Sequence, residues 1–153
     1  MNYLRWLIIK TISIVNGPNL NFLGIRELEK YGSTSYTELV DTIENKASSL
    51  NLEIEFFQSN NEGEIVDYIQ RISQFNDSWL IFNPGAFTHT SISIRDAISI
   101  FSQNNKFIEV HISDINKRED FRKINLIKEF SKHSVIGQGV DGYLKALEYI
   151  DGE

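Results

Sequence analysis

Short apolar runs alternate along the chain with segments whose apolar residues recur at helical spacing. The apolar runs predict five strands, at Thr11–Val15, at Leu52, Ile54 and Phe56, and at Trp79–Phe82, Phe107–Ile112 and Ser134–Ile136. Trp79–Phe82 is apolar without interruption, which is typical of a central parallel strand buried on both faces. The pattern therefore predicts an α/β protein rather than an all-helical or all-β one.

A helical repeat follows each predicted strand. The repeats run from Tyr36 to Leu50, from Ile65 to Ile72, from Ile94 to Phe101, through Phe121, Ile124 and Ile127, and from Tyr143 to Ile150. Ser35 and Glu38 form a capping box before the first repeat, and Asn61 and Glu64 are placed to cap the second. Five βα units predict a single doubly wound, flavodoxin-like five-stranded parallel sheet.

Composition narrows the class of protein and of partner. The 153 residues fit one domain, with residues 1–9 as an N-terminal extension, and the formal charge of −6 argues against nucleic acid as a partner. The absence of Cys suits a reducing, cytoplasmic compartment. The apolar run near the N-terminus is too short to span a membrane and is interrupted by Lys10. We expect a cytoplasmic protein that binds neither membrane nor nucleic acid.

The unusual polar segments follow the predicted strands, where doubly wound sheets bind their ligands. Asn16–Asn21 follows the first strand and opens a connection that reaches Ser33; such long connections are commonly functional. Asn83–Ser91 follows the third strand, and Glu109–Ser113 ends the fourth. These three segments are expected to form the site.

Glu109 and His111 lie two residues apart on a strand, so both side chains leave the same face of the sheet. A carboxylate beside an imidazole fixes its tautomer and favours its protonated form, which suits a general acid. Taken alone, the pair favours a structural ion pair at the end of a strand over a catalytic one.

Arg26 and Tyr31 lie in the long connection after the first strand. A phenol ordinarily ionises near pH 10, so a tyrosine base near neutrality needs about 4 kcal/mol of phenolate stabilisation. Neighbouring guanidinium groups in a dry site can supply it. Two solvated loop side chains are the alternative.

Other polar residues carry weaker signals. His89 is predicted to open the third helix, with Asp96 two turns further on, and Arg118 and Arg122 would share one face of the helix after strand four. The three histidines, His89, His111 and His133, show no metal-ligand spacing, so no metal is expected.

The polar segments occur together in one order. They are Asn16–Gly24, Arg26-Glu27 with Tyr31-Gly32, Gln58–Asn60 with Glu62-Gly63, Asn83–Thr90, Glu109–Ser113 and Gly139–Leu144. From about Lys10 to Ile150 the sequence closely resembles the type II 3-dehydroquinases, which are metal-free 3-dehydroquinate dehydratases of the shikimate and quinate pathways. The resemblance implies a lyase without a cofactor that eliminates water through an enolate.

The resemblance also implies residue roles. Tyr31 would be the base at C2, with Arg26 favouring its phenolate, and Asn19 would help to hold a water on the enolate oxygen. His111, oriented by Glu109, would protonate the departing hydroxyl. The substrate would be bound by Asn83, His89, Asp96, Ile112, Ser113 and Arg122.

Assembly and departures from the family pattern complete the expectation. Members typically form a dodecamer of four trimers, in which the position of Asp96 reaches a neighbour's site. The resemblance implies that the long connection with Arg26 and Tyr31 is a lid over the site, and Leu28 stands where that lid usually has Pro. Asp114 and Asn116 replace a more typical Asn and His. Ile124-Asn125 replaces a polar, His-containing pair.

Three rivals share the predicted fold. A flavin or nucleotide binder should have a hydroxyl- and glycine-rich loop after strand one, where this chain has Gly17–Leu20. A receiver-type signalling module needs acids after strand one, an Asp after strand three and a Lys after strand five. This chain has Asn16, Asn83 and Gly137 at those places instead. An inactive relative is disfavoured by the retained candidate catalytic residues.

Overall fold

A computed structural model describes residues 11–25 and 27–153 of the chain. The predicted N-terminal extension, and the candidate residue Arg26, therefore lie outside the described residues. The described part contains strands β1 (Thr11–Asn16), β2 (Glu53–Gln58), β3 (Trp79–Asn83), β4 (Lys106–His111) and β5 (His133–Ile136), with helices α1 (Leu28–Tyr31), α2 (Tyr36–Ser49), α3 (Glu62–Ile72), α4 (Ile92–Phe101) and α5 (Asp141–Gly152).

The five strands form one parallel sheet in the order β2-β1-β3-β4-β5, which confirms the flavodoxin-like prediction. Asn16 at the end of β1 lies opposite Gln58 on one side and Asn83 on the other. On the next strand pair, Phe82 lies opposite Glu109. The register therefore brings the polar strand ends to one edge of the sheet.

Helices cover both faces of the sheet. On one face, Ile14 and Ile81 pack in a cluster with Leu39 and Ile43 of α2 and with Leu147 of α5. On the other face, α3 and α4 cover the alternate strand residues Val15, Leu80 and Phe82 with side chains that include Ile69 and Ile98. Because neighbouring residues of β3 enter different clusters, this strand is apolar throughout, as its sequence predicts.

Side chains begin the longer helices as the sequence predicts. The Ser35 hydroxyl accepts from the Glu38 backbone N–H, and the Glu38 carboxylate accepts from the Ser35 N–H, which completes the capping box of α2. Asn61 caps α3 by accepting from the N–H groups of Gly63 and Glu64. These caps fix where each helix leaves the site edge.

The prediction of a helix after the fourth strand is wrong. Short 3-10 turns stand there instead, at Ile115–Lys117, Asp120–Arg122 and Lys128–Phe130. Phe121 and Ile124 are 69% and 58% exposed, so of the three apolar residues only Ile127 enters the core. The side-chain oxygen Oδ1 of Asn125 accepts from the N–H groups of Ile127 and Lys128. These local bonds compete with helix formation.

His89 does not open the third helix as predicted. It ends the 3-10 turn Gly85–His89, and α4 begins at Ile92 after the cap residue Ser91. Within the part of the chain that the structure describes, no helix has the length and apolar character needed to cross a bilayer.

Candidate active site

The loops after β1 and β3 touch closely at the carboxyl edge of the sheet. The Gly17 N–H donates to the carbonyl oxygen of Asn83, 2.8 Å away. A Cβ atom at Gly17 would lie 2.3 Å from the carbonyl oxygen of Pro84, so only glycine fits there. The contact fixes the spacing between the segments that carry Asn19 and Asn83.

A cavity of about 90 Å³ lies at this edge. Of the predicted site residues, eight line it, namely Asn19, Tyr31, Asn83, His89, His111, Ile112, Ser113 and Arg122. Arg118 also lines it, together with Glu27 of the long connection. The structure thus gathers most of the predicted residues from five separate segments around one space.

Glu109 and His111 form a buried pair on β4. The Nε2–H of His111 donates to Oε1 of Glu109 over 2.7 Å, and the Glu109 side chain is fully buried. Burial by itself raises the pKa of Glu109, but hydrogen bonds from His111, Asn125 and Ser134 outweigh it and hold that pKa below its usual range. Glu109 is therefore a carboxylate behind the imidazole and does not line the cavity.

The two histidines of the cavity carry their ring hydrogens on opposite nitrogens. The His89 Nδ1–H donates to the carbonyl oxygen of Ile124 over 2.6 Å, and a carbonyl can only accept. The same reasoning puts the hydrogen of His111 on Nε2, facing the Glu109 carboxylate. Burial lowers the pKa of His89, and Arg122, His111 and Arg118 lower it further.

Tyr31 contacts an arginine that follows β4. The Arg118 Nη1–H donates to the Tyr31 phenolic oxygen over 2.6 Å, and the guanidinium carbon lies 5.7 Å from the ring centroid. A cation bonded to the oxygen favours the phenolate, the role that the resemblance gives to Arg26. Tyr31 ends helix α1 in the long connection, as a lid residue would.

A carboxylate holds the two arginines beside each other. Glu119 Oε2 lies 3.0 Å from Arg122 Nε and 3.4 Å from Arg118 Nε. Arg118 and Arg122 face the same cavity, although the helix predicted to align them is absent from the described residues. Their positive charges make the cavity suited to an anionic ligand.

Asn83 is held in place by the last helix. Its amide donates to the Tyr143 hydroxyl over 3.0 Å, and that hydroxyl donates to Asn16 over 2.5 Å. The Asn83 side-chain oxygen Oδ1 accepts from the Gly85 N–H. Burial raises the pKa of Tyr143, so its hydroxyl stays protonated and keeps both bonds.

Ile112 and Ser113 form the turn after β4. The carbonyls of His111 and Ile112 accept from the N–H groups of Gly137 and Gly139. Both glycines have positive φ angles, of 73° and 60°, and the turn is held by them from below. Gly137 and Gly139 therefore form a tight turn that supports the site.

Asp96 lies apart from the cavity of its own chain. Its side chain is 65% exposed on α4, where it pairs with Arg95 over 3.4 Å. Ile92 and Ile100, one turn before and after Asp96, are also exposed. The structure therefore does not bring Asp96 together with the other predicted substrate contacts.

Sequence reasoning missed three supporting residues. Arg118 contacts Tyr31, Asn125 contacts Glu109 and Tyr143 contacts Asn83. Each pair is separated by at least 16 positions in sequence, so no local pattern predicts the contact. For Arg118 the sequence predicts only a helix face shared with Arg122. Within residues 11–25 and 27–153 no group of three His, Asp or Glu side chains is arranged to hold a metal ion.

A buried acid–base pair beside a Tyr–Arg contact is the arrangement of a proton-transfer enzyme. The sequence profile described as "Dehydroquinase class II" matches residues 10–151. Over 139 residues the chain is 49% identical to the 3-dehydroquinate dehydratase of Caldicellulosiruptor saccharolyticus, covering 91% of this chain and 94% of the relative. It is 45% identical over 139 residues to "Catabolic 3-dehydroquinase 2" of Neosartorya fischeri, covering 91% of each chain.

A solved structure agrees with the sequence relatives. The type II dehydroquinase from Butyrivibrio crossotus superposes with a TM-score of 0.89 at 43% identity, covering 94% of this chain and 98% of that one. This chain belongs to the class II dehydroquinase family.

Proposed function

We propose that this chain is a 3-dehydroquinate dehydratase that forms 3-dehydroshikimate by trans-elimination without metal or cofactor. The observation that carries the proposal is the placement of Tyr31, bonded to Arg118, and His111, bonded to Glu109, around one cavity. The names of the relatives supply the substrate. A base and an acid on separate segments suit removal of a proton and of a hydroxyl from opposite faces.

The geometry supports a division of labour. Tyr31 as phenolate takes the C2 proton, stabilised by Arg118 and, from outside the described residues, by Arg26. The electron pair moves into the ketone to give an enolate, whose oxygen is stabilised by a water that Asn19 helps to hold. The enolate then expels the C1 hydroxyl, which takes a proton from Nδ1 of the His111 imidazolium, and the Nε2–H of His111 stays hydrogen-bonded to Glu109.

Substrate recognition falls to the remaining cavity residues. The turn at Ile112 and Ser113 offers backbone donors for the substrate carboxylate, with Asn83 held beside it by Tyr143. His89 and Arg122 are placed for the ring hydroxyls, and because His89 gives its Nδ1–H to Ile124, its Nε2 is left as an acceptor.

We also propose that the enzyme is a dodecamer of four trimers, located in the cytoplasm. Asp96 is exposed between Ile92 and Ile100, a face on which a neighbouring subunit would bury two apolar side chains. Asp96 would then complete the neighbour's site rather than its own. Residues 1–153 would form one domain, of which residues 1–9 are an N-terminal extension.

Purified protein mixed with 3-dehydroquinate tests the activity. The product is a conjugated enone, so ultraviolet absorbance should rise with a rate proportional to enzyme concentration. A His111→Ala variant prepared in the same way is the control for contaminating activity. A flat trace from folded protein would support the inactive-relative alternative, and a yellow cofactor that stays with the protein would support the flavin-binding one.

A further inference from the structure

The three residues 124–126, which we call the histidine strap, contact His89 directly and reach His111 through Glu109. The Ile124 carbonyl accepts from His89 Nδ1–H, and the Leu126 N–H donates to the carbonyl oxygen of Thr88, 3.0 Å away. Asn125, between them, turns inward to the Glu109 carboxylate. The strap therefore joins the segment after β3 to the acid on β4.

We propose that Asn125 is a positioning residue for the elimination, because it fixes the Glu109 oxygen that orients His111. Its Nδ2–H donates to Glu109 Oε1 over 2.5 Å, and this is the same oxygen that accepts from His111 Nε2–H. Ser134 donates to the other oxygen, Oε2, over 3.0 Å. Both carboxylate oxygens are thus held, and the inference rests on the proposed function.

The orientation of the Asn125 amide is itself fixed. Its carbonyl oxygen accepts from the N–H groups of Ile127 and Lys128, each over 3.1 Å. With the oxygen engaged in this way, the NH₂ end must point to Glu109. Asn125 therefore transfers the position of the backbone at 127–128 to the carboxylate, and through it to the imidazole.

The bond also moderates the charge that His111 meets. A neutral donor on Oε1 shares the negative charge, so its removal leaves a more basic oxygen and favours the imidazolium. The charged or titratable groups that face His111 are Glu109 on its own strand, His89 from the segment after β3, Glu27 and Tyr31 from the long connection, and Arg118 and Arg122 after β4. Substitution of Asn125 changes none of these other groups.

Asn125→Ala is the first test, with Asn61→Ala as its matched control. The side-chain oxygen of each asparagine accepts from two backbone N–H groups that follow it, but of the two only Asn125 bonds Glu109. We expect Asn125→Ala to lower kcat about 10- to 100-fold, as loss of an outer histidine partner does in metal sites, with little change in KM. The alkaline limb of its kcat profile, which reports the protonated acid, should move to higher pH.

The control variant separates positioning from capping. Asn61→Ala should lose thermal stability without moving the alkaline limb. A folded Asn125→Ala enzyme with unchanged kcat and an unmoved limb would overturn the proposal. If Asn125→Ala does not fold, Asn125→Ser keeps an oxygen that can accept from the following backbone N–H groups, on a shorter side chain that withdraws the amide donor from Glu109. Its limb should also move to higher pH, and an unmoved limb would overturn the proposal equally.

A readout that needs no turnover keeps this inference distinct from the proposed function. With ¹⁵N-labelled histidine at a pH above the alkaline limb, where His111 is neutral, the wild-type spectrum should show His111 as the Nε2–H tautomer, and Asn125→Ala should populate both tautomers. An unchanged tautomer in the variant would count against Asn125. If the wild type is inactive on 3-dehydroquinate but Asn125→Ala still changes the His111 tautomer, the proposed function is refuted and the positioning role of Asn125 stands.

Discussion

The Arg118 guanidinium donates a hydrogen bond to the Tyr31 phenolic oxygen over 2.6 Å and links two residues 87 positions apart. Arg118 is itself held by Glu119, which also holds Arg122. The bond places a permanent positive charge beside the Tyr31 oxygen, where the proposed mechanism needs a phenolate. A closed Tyr31 position is therefore maintained by the segment after β4 and not by the lid alone.

Tyr31→Phe keeps the ring but removes the proton acceptor. We expect kcat to fall about 10²–10⁴-fold, the usual cost of losing a general base, with little change in KM. Tyr149→Phe, at a ring that stacks on His133, serves as the control and should retain its rate. Near wild-type turnover by Tyr31→Phe would end the proposed mechanism, whatever the fold.

Arg118→Ala should slow the enzyme and move the acidic limb of the rate profile to higher pH, because the phenol must lose its proton without the adjacent cation. Arg26→Ala should shift the limb in the same direction if Arg26 shares the role. Arg71→Ala is a matched control, since Arg71 also lies over a tyrosine, 4.6 Å from the Tyr68 ring centroid. A raised KM with an unmoved limb would show that Arg118 only closes the site.

Subunit mixing tests the role of Asp96. Asp96→Ala and Tyr31→Phe should each be nearly inactive alone, because each lacks one part of every site. If Asp96 serves a neighbouring subunit, equal mixing by joint refolding should restore about one quarter of the wild-type sites. Mixed protein that stays inactive, although light scattering shows mixed oligomers, would place Asp96 in its own subunit's site. An Asp96→Ala enzyme that is active alone would place Asp96 outside the site.

Glu109 should make stability depend on acid pH. Its pKa is lowered in the folded state, so it stabilises the fold above the unfolded value of about 4.3 and this contribution is lost as pH falls below that value. Urea unfolding at pH 6 and pH 3.5 should therefore show a smaller loss of unfolding free energy in Glu109→Gln than in wild type. The exposed Glu53→Gln variant should lose as much as wild type does.

Activity should survive both chelators and borohydride. The mechanism uses Tyr31 and His111 for proton transfer and forms no imine, so borohydride has nothing to trap. The measurement is residual activity after treatment with EDTA, and after treatment with substrate plus borohydride. Inactivation that requires both substrate and borohydride would point to a lysine imine and contradict the mechanism.

The sequence predicted the sheet well because burial on two faces imposes strong patterns. Trp79–Phe82 was predicted correctly for that reason. Ser35 and Glu38 were predicted correctly because a capping box is a local pattern of two residues three positions apart. The segment after β4 was interpreted wrongly, because apolar spacing at Phe121 and Ile124 imitates a helix although both side chains are exposed. Apolar spacing alone does not tell whether a side chain faces the core or the surface.

The sequence predicted most of the residues that line the cavity, but not the contacts that hold them in place. Strand ends and motifs identified Tyr31, His111 and Asn83, which share the cavity. Their partners Arg118 and Asn125 come from irregular backbone, whose path depends on the packing of the whole edge. Such pairs have no periodicity to reveal them, and so they appear only in three dimensions.

The hydroxyl of Tyr143 ties the last helix to Asn16 and Asn83, which lie far earlier in the chain. During synthesis on the ribosome, β1 and β3 emerge well before that hydroxyl does, since even Asn83 precedes Tyr143 by 60 positions. A nascent chain that ends before residue 141 therefore has both strands but lacks the group that aligns their polar ends. Alignment of these two strand ends is for this reason a late event in biogenesis, which arrives with α5 and not with the sheet.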